Sequence, residues 1–357
     1  MDMNLWRGRK VLITGHTGFK GSWLTQLLMK LGADVYGFSL EDAREQSLYK
    51  LSNLDLVLKG ECFGDIRDPE ALSLFFKRVN PEVVFHLAAI ATVQEAADSP
   101  RDAISTNVMG TFNVLNQAVS SGARVVIAAT TDKVYKNREW LWPYRESERL
   151  GGTEPYSASK TAAENVITMM QLDSGDSVIT AVRAGNVIGG GDAHKSRLIP
   201  DLADSWLNDQ VVALRMPFAT RPWQHVLDCL RGYVLTAERS LLGVELPPAL
   251  NFGPTGSMTV LETSETFFQA LGAKLSWTTS NLTGKEHYKL ELDSNLALSV
   301  VGWKPLLSMH EAVTQSARWY GGLASGSSVT ELVARDMDSF LRLDSLADAS
   351  LERSDYL

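Results

Sequence analysis

Two short stretches carry side chains whose types and spacing could do chemistry. Thr130-Thr131-Asp132-Lys133 closes the apolar run Arg124–Ala129, and Tyr156-Ser-Ala-Ser-Lys160 follows after a loop. On a helix the Tyr156 phenol and the Lys160 ammonium, four residues apart, share one face. Lys160 and any further positive charge beside it are expected to bring the phenol below its usual value of about 10, so that it takes the proton of a substrate hydroxyl while a hydride leaves the same carbon. Thr131 can share the hydrogen bond to that oxygen. Asp132 and Lys133 set an acid beside a base, as the elimination of water requires. Sequence leaves their ionisation open: desolvation favours both neutral forms, whereas proximity favours the ion pair.

Such groups need strand ends and helix starts to hold them. Open α/β sheets bind ligands outside the carboxyl ends of their strands, which is where the run ending at Ala129 leaves Thr130 to Lys133. Near the start of the chain, Lys10–Thr14 reads as a strand and Ser22–Leu31 as a helix, with Gly15-His16-Thr17-Gly18-Phe19-Lys20-Gly21 between them. Gly15 allows a tight turn, Gly18 lets a pyrophosphate approach the backbone, and Gly21 permits close helix packing. The whole loop is a candidate for dinucleotide contact. Lys20 either meets a phosphate or points to water.

The second strand, Asp34–Phe38, ends at Ser39, where many NAD-binding folds carry an acid for the ribose. Ser39 offers one hydroxyl instead, and nearby Arg44 raises NADP as a second option. Asp65 and Ile66 follow the third strand and are candidates for the adenine, while Asp68 suits the cap of a helix beginning at Pro69. Val83–Ala89 is the fourth strand, in which Leu87, Ala88 and Ala89 leave room for the cofactor. His86 reads as a satisfied core residue rather than a ligand. Asn107, in a helix over Asp102–Val119, is a polar residue on a packed face and so needs a hydrogen-bonding job.

The fold class these elements predict is α/β: a Rossmann-type doubly wound parallel sheet with a smaller mixed α/β substrate-binding lobe. The cofactor domain takes residues 1–185 and 226–254, the substrate lobe 186–225 and 255–343, and a tail 344–357. A helix is expected within Asp336–Leu343 and mobility in the last ten residues. Gly189-Gly190-Gly191 read as a flexible boundary between lobes. Past it, Asn186, Arg197, Leu198, Arg215, Arg221 and His225 are candidates for substrate contact, the arginines for a diphosphate. The aromatic loop Lys136–Glu146 either folds over the site or packs against the second lobe. The helices at 102–119 and 156–172 form either a homodimer face or an internal core face.

With 357 residues, 45% hydrophobic and 21% charged, the chain is an ordinary globular protein. A net charge of -8 offers no basic surface to nucleic acid or an anionic membrane. The two cysteines, Cys62 and Cys229, show neither disulfide nor metal-ligand spacing, so no metal is expected and a cytoplasmic location is. No apolar run reaches signal-peptide or membrane-span length.

Taken together, Gly15–Leu24, Thr130–Asn137, Tyr156–Lys160, Ala184–Asp192, Arg221–Val226, Asn251–Pro254 and Gly302–Pro305 resemble the CDP-glucose 4,6-dehydratases of the extended short-chain dehydrogenase/reductase superfamily. The resemblance covers about residues 8–343. It implies NAD as cofactor, a nucleotide sugar, CDP-hexose above others, as substrate, and a part in deoxysugar and O-antigen synthesis. It also implies Asp132 as the acid, Lys133 as the base, and Asn107 as a prop for the catalytic region. Related dehydratases carry Glu where Lys133 stands. The chain departs from the pattern at Gln94, where an arginine is usual, at Ala193, where a tryptophan is usual, and at Ser294–Ala297.

Overall fold

The apolar runs become strands of one sheet in a computed structural model, which describes residues 1–354 except 43, 196 and 281–288, with side chains as far as 347. The strands are β1 (Lys10–Thr14), β2 (Asp34–Ser39), β3 (Gly60–Phe63), β4 (Val83–His86), β5 (Val125–Ala129), β6 (Val178–Ala184) and β7 (Ala249–Phe252). Their order is β7-β6-β5-β4-β1-β2-β3, and every pairing is parallel. Strands covered on both faces are apolar at most positions, which is why the central ones read as near-continuous runs. In β1, Val11 and Ile13 enter one core layer with Trp23 and Leu27, while Leu12 enters the other with Phe75, Phe76 and Leu115. Strand order reverses between β1 and β4, where Thr14 sits opposite His86, and the ligand crevice of such a sheet opens there.

Helix starts follow local chemistry. The first long helix runs Phe19–Lys30, earlier than the Ser22 expected, because the glycine loop supplies its first turn with Gly18 as N-cap. Asp68 caps the Pro69–Val79 helix as expected, accepting from the Glu70 and Ala71 amides. Pro155 opens the Pro155–Leu172 helix, where Glu154 and Ser157 form a reciprocal cap. The expected helix over 102–119 spans Pro100–Ser120, but it is not uniform: Ser105–Gly110 is a π turn.

The smaller lobe is built from short pairs. Val212–Leu214 runs parallel to Trp277–Thr279, and Thr220–Arg221 antiparallel to Met258–Thr259. Helices Leu198–Leu207, Val260–Ala270 and Met309–Ala324 pack around them. The aromatic loop takes the second of its two options: Tyr144 pairs with Leu292, and Tyr135, Trp140 and Tyr144 form a cluster with Leu290 and Leu292.

Two expectations are corrected. The three glycines after Ile188 serve close packing rather than looseness, since a Cβ on Gly190 would lie 2.0 Å from the Trp319 ring and one on Gly189 2.8 Å from Val226. The tail expected from 344 is helical as far as Ser354, within one helix that starts at Val329, while 355–357 lie outside the described residues. Asp344 in that helix is buried and pairs with the buried Arg231, which holds the segment down.

Candidate active site

At the carboxyl end of β5 the chain turns into a short 3-10 helix, Asp132–Val134, capped by Thr131. The Thr131 hydroxyl donates to Asp132 Oδ1 at 3.0 Å and accepts from the Lys133 amide at 3.3 Å. Asp132 is 4% exposed, and burial pushes its carboxyl above the usual range against the pull of Lys133, Thr131 and Arg221. Desolvation therefore wins at Asp132, which the sequence had left open. Its Oδ2 lies where Gly185 has no side chain: a Cβ there would be 3.0 Å away.

The Pro155–Leu172 helix brings Tyr156 and Lys160 to the same place, both nearly fully buried. The expected depression of the phenol is not what its surroundings produce. Burial drives Tyr156 up to about 12 against the hydrogen-bonding pull of Thr131, and nearby Asp132 pushes the same way. Lys160 is instead the depressed member, brought to about 8 by burial and by the like charge of Lys20. Its ammonium donates to the Ala129 carbonyl at 3.0 Å, at the last residue of β5.

The glycine loop fits a dinucleotide. A Cβ on Gly15 would meet the Ala88 amide nitrogen at 2.7 Å, and one on Gly21 the Gly15 carbonyl oxygen at 2.1 Å, so turn, helix and the strand-end segment Leu87–Ala89 are in close contact. Gly18 gives the helix no side-chain cap, which leaves the first amides for an anion. Lys20 resolves inward: its ammonium donates to the Tyr233 hydroxyl at 3.4 Å, and burial holds it below the usual lysine value, with Cys229, Arg197 and Asp132 near enough to act on it. Arg197 also acts on Tyr156, and its guanidinium is held by Asp192 at 2.9 Å. Leu198 opens the helix behind it, and the carbonyl of Asn186 accepts from the Gln224 amide. Arg221 lies close enough to act on Asp132.

Several expected residues already hold partners within the chain. The His16 ring is buried over Gly37 and bonded to Glu61 at 2.9 Å, so only its backbone belongs to the turn. His225 is buried, and its Nδ1 caps the Val226–Leu241 helix by accepting from the Leu227 amide. Asp65 is forked onto Arg67, which also reaches Asp102; Ile66 beside it packs on Gly110. Ser39 shares its hydroxyl with Thr17 at 2.8 Å. Arg44 is bound through two nitrogens to Asp42, which takes it from the role in NADP recognition considered for it.

His86 is a satisfied core histidine. Thr111 donates to the Asn107 carbonyl, so His86 Nε2 donates to Thr111 and Nδ1 accepts from Thr14. Asn107 bonds both backbone groups of Ile90 and donates to Ser159, tying the loop after β4 to the helix of Tyr156. Sequence reading passed over Glu164 and Arg183, buried behind the cluster and bonded to each other through two contacts. Glu164 falls four residues after Lys160, and an arginine inside an apolar strand is itself a signal. Among the described residues no group of three side chains suits a metal ion.

Residues 11–245 match the model of the NAD dependent epimerase/dehydratase family. The chain belongs to that family. It is 38% identical to the CDP-glucose 4,6-dehydratase of Salmonella typhimurium, across 96% of this chain and 98% of that one. With the UDP-glucose 4-epimerase of Neisseria meningitidis serogroup C it shares 26% identity over 89% and 99% of the two chains. Among solved structures it resembles dTDP-glucose 4,6-dehydratase from Streptomyces venezuelae, with TM-score 0.76, 24% identity and coverage of 87% and 96%. As a family member the chain is an NAD-dependent enzyme, a nucleotide-sugar 4,6-dehydratase.

Proposed function

We propose that the enzyme converts CDP-D-glucose to CDP-4-keto-6-deoxy-D-glucose. The observation that carries this reading is Asp132: a buried carboxyl, raised by desolvation, next in sequence to Lys133 and facing Tyr156. An epimerase needs the Tyr–Lys pair but no such acid and base. The favoured nucleotide rests on the likeness to the Salmonella enzyme.

NAD would be held by the glycine turn Gly15–Gly21, the Leu87–Ala89 segment and Lys160, and would supply the acceptor for the hydride of carbon 4 and its return to carbon 6. Burial alone keeps the Tyr156 phenol protonated, so the nicotinamide charge and Lys160 would have to draw its proton off before it takes that of the 4-hydroxyl, with Thr131 bonded to the same oxygen. Once carbon 4 is a ketone the proton on carbon 5 is acidic, and Lys133 removes it. Asp132, protonated through its burial, gives its proton to the hydroxyl on carbon 6, which leaves as water. Lys133 then returns a proton to carbon 5, and carbon 6 ends as a methyl group. Lys20, Arg197 and Arg221 gather positive charge for the substrate diphosphate.

Two departures from the family pattern have definite places. Gln94 donates to Asp98 within its own short helix, and Ser294 bridges the backbone of Gly253. We further infer a cytoplasmic homodimer. Cys62 and Cys229 are free thiols, and the two candidate interface helices leave Ile104, Met109 and Met169 about half exposed. The test is incubation with CDP-, dTDP-, UDP- and GDP-hexoses, read by the alkaline absorbance of 4-keto-6-deoxy products. Turnover of the CDP sugar ahead of the others is expected; preference for another nucleotide overturns the substrate, and no turnover overturns the activity.

A further inference from the structure

Three segments that carry the site converge on one buried ion pair. Thr130, at the end of β5 just before Thr131-Asp132-Lys133, donates its hydroxyl to Glu164 Oε1 at 2.5 Å. Glu164 stands one turn beyond Lys160 on the helix of Tyr156. Arg183, at the end of β6 just before Gly185, donates from Nε to the same Oε1 at 2.8 Å and from Nη2 to Oε2 at 2.9 Å. Its Nη1 reaches the Tyr135 hydroxyl at 2.8 Å and the Glu146 carbonyl at 3.0 Å, and Tyr135 passes the chain on to Asn251 of β7 at 2.7 Å. Thr130, Glu164 and Arg183 are all buried.

A buried ion pair is poor evidence of stabilisation, because well-packed apolar side chains serve as well or better. What it does supply is fixed geometry, since a guanidinium fork and a carboxylate meet in one orientation. The reaction needs that kind of fixing. Tyr156 and Lys160 sit on a helix, Asp132 and Lys133 on a strand-end turn, and both must reach adjacent carbons of one sugar. Misplacement of about 1 Å can cost 100-fold in rate.

We propose that Glu164, held by Arg183, is a positioning residue that sets the turn bearing Asp132 and Lys133 against the helix bearing Tyr156 and Lys160, through its bond from Thr130. The proposal rests on the dehydratase reading for its catalytic consequence, and its structural part can be measured without turnover.

The test is Thr130→Val, which keeps the shape of the side chain and leaves the Glu164–Arg183 pair whole, with Thr130→Ser as the rescue. In Thr130→Val, kcat is expected to fall roughly 10- to 100-fold with KM for the nucleotide sugar little changed. Amide hydrogen exchange over residues 131–134 should quicken in the same variant. Thr130→Ser should restore both, and Thr130→Ala should repeat the valine result if the valine protein fails to fold. Wild-type kcat in Thr130→Val, unaltered exchange, or a serine variant as slow as the valine one overturns the proposal. If the wild-type enzyme turns over no nucleotide sugar, the dehydratase reading fails, and exchange alone then decides the role of Glu164.

Discussion

Asp132 and Lys160 are moved in opposite directions by one cause. Burial resists charge, so it raises the carboxyl and lowers the ammonium. For Lys160 this has a consequence for stability. Its proton leaves the folded chain at about 8 and the unfolded chain at about 10.4, so between those values the unfolded state binds more protons and stability rises with pH. The full effect is about 3 kcal/mol, to an order of magnitude. Lys160→Met removes it. The difference in melting temperature between wild type and variant should therefore shift in favour of the wild type from about pH 7.5 to about pH 10; a constant difference would count against the depressed ammonium.

Lys133 gives the sharper chemical test. Lys133→Met should leave NAD affinity within about twofold and reduce 4-keto-6-deoxy product by roughly 100-fold or more, the usual size of a lost general base. Near wild-type product from that variant would remove Lys133 from the mechanism. Both lysines were legible in the sequence because position in a motif names them. The state of the phenol was not, since Tyr156 depends on how deeply a fold buries it.

Among the elements, the strands and the glycine turn were read from pattern alone, because a seven-stranded parallel sheet writes its burial into continuous apolar runs. The π turn over Ser105–Gly110 left no such mark, since an apolar period cannot distinguish one irregular turn in a long helix. Asn107 lies inside it and satisfies both backbone groups of Ile90. Asn107→Ala should cost about 1–3 kcal/mol through those unpaired groups. Because its other bond goes to Ser159 on the helix of Tyr156, kcat should fall more than KM rises. Denaturant melts and steady-state kinetics measure the two effects, and unchanged kinetics with lost stability would confine Asn107 to the core.

Across the whole molecule, contacts distant in sequence are what the reading missed. The Glu164–Arg183 pair joins a helix to a strand, and Asp344 reaches back to Arg231. Polar residues near the end of a chain look solvated until a partner appears. Asp344→Ala should leave the Arg231 charge in the interior and cost roughly 3 kcal/mol, seen as a lower melting temperature. Since Asp344 takes no part in the catalytic cluster, kcat per folded molecule should stay at the wild-type level. A variant with unaltered melting would show that the pair does not anchor the helix.

The irregular turn near residue 107 also limits how this protein can change in length. An α-helix advances by about 100° per residue, and a π turn is in effect one residue inserted into that progression. Deleting a residue such as Val108 would let Pro100–Ser120 regularise into ordinary helix, a gain in local geometry. Because the wide turn absorbs the surplus residue, the segments on either side would keep their orientation, and Asp102 its reach to Arg67. What would change is the stretch 105–110 itself, whose widened backbone now presents Asn107 to Ile90. The more regular helix would be the less functional one, so the surplus residue is one this chain can spare only together with its partners.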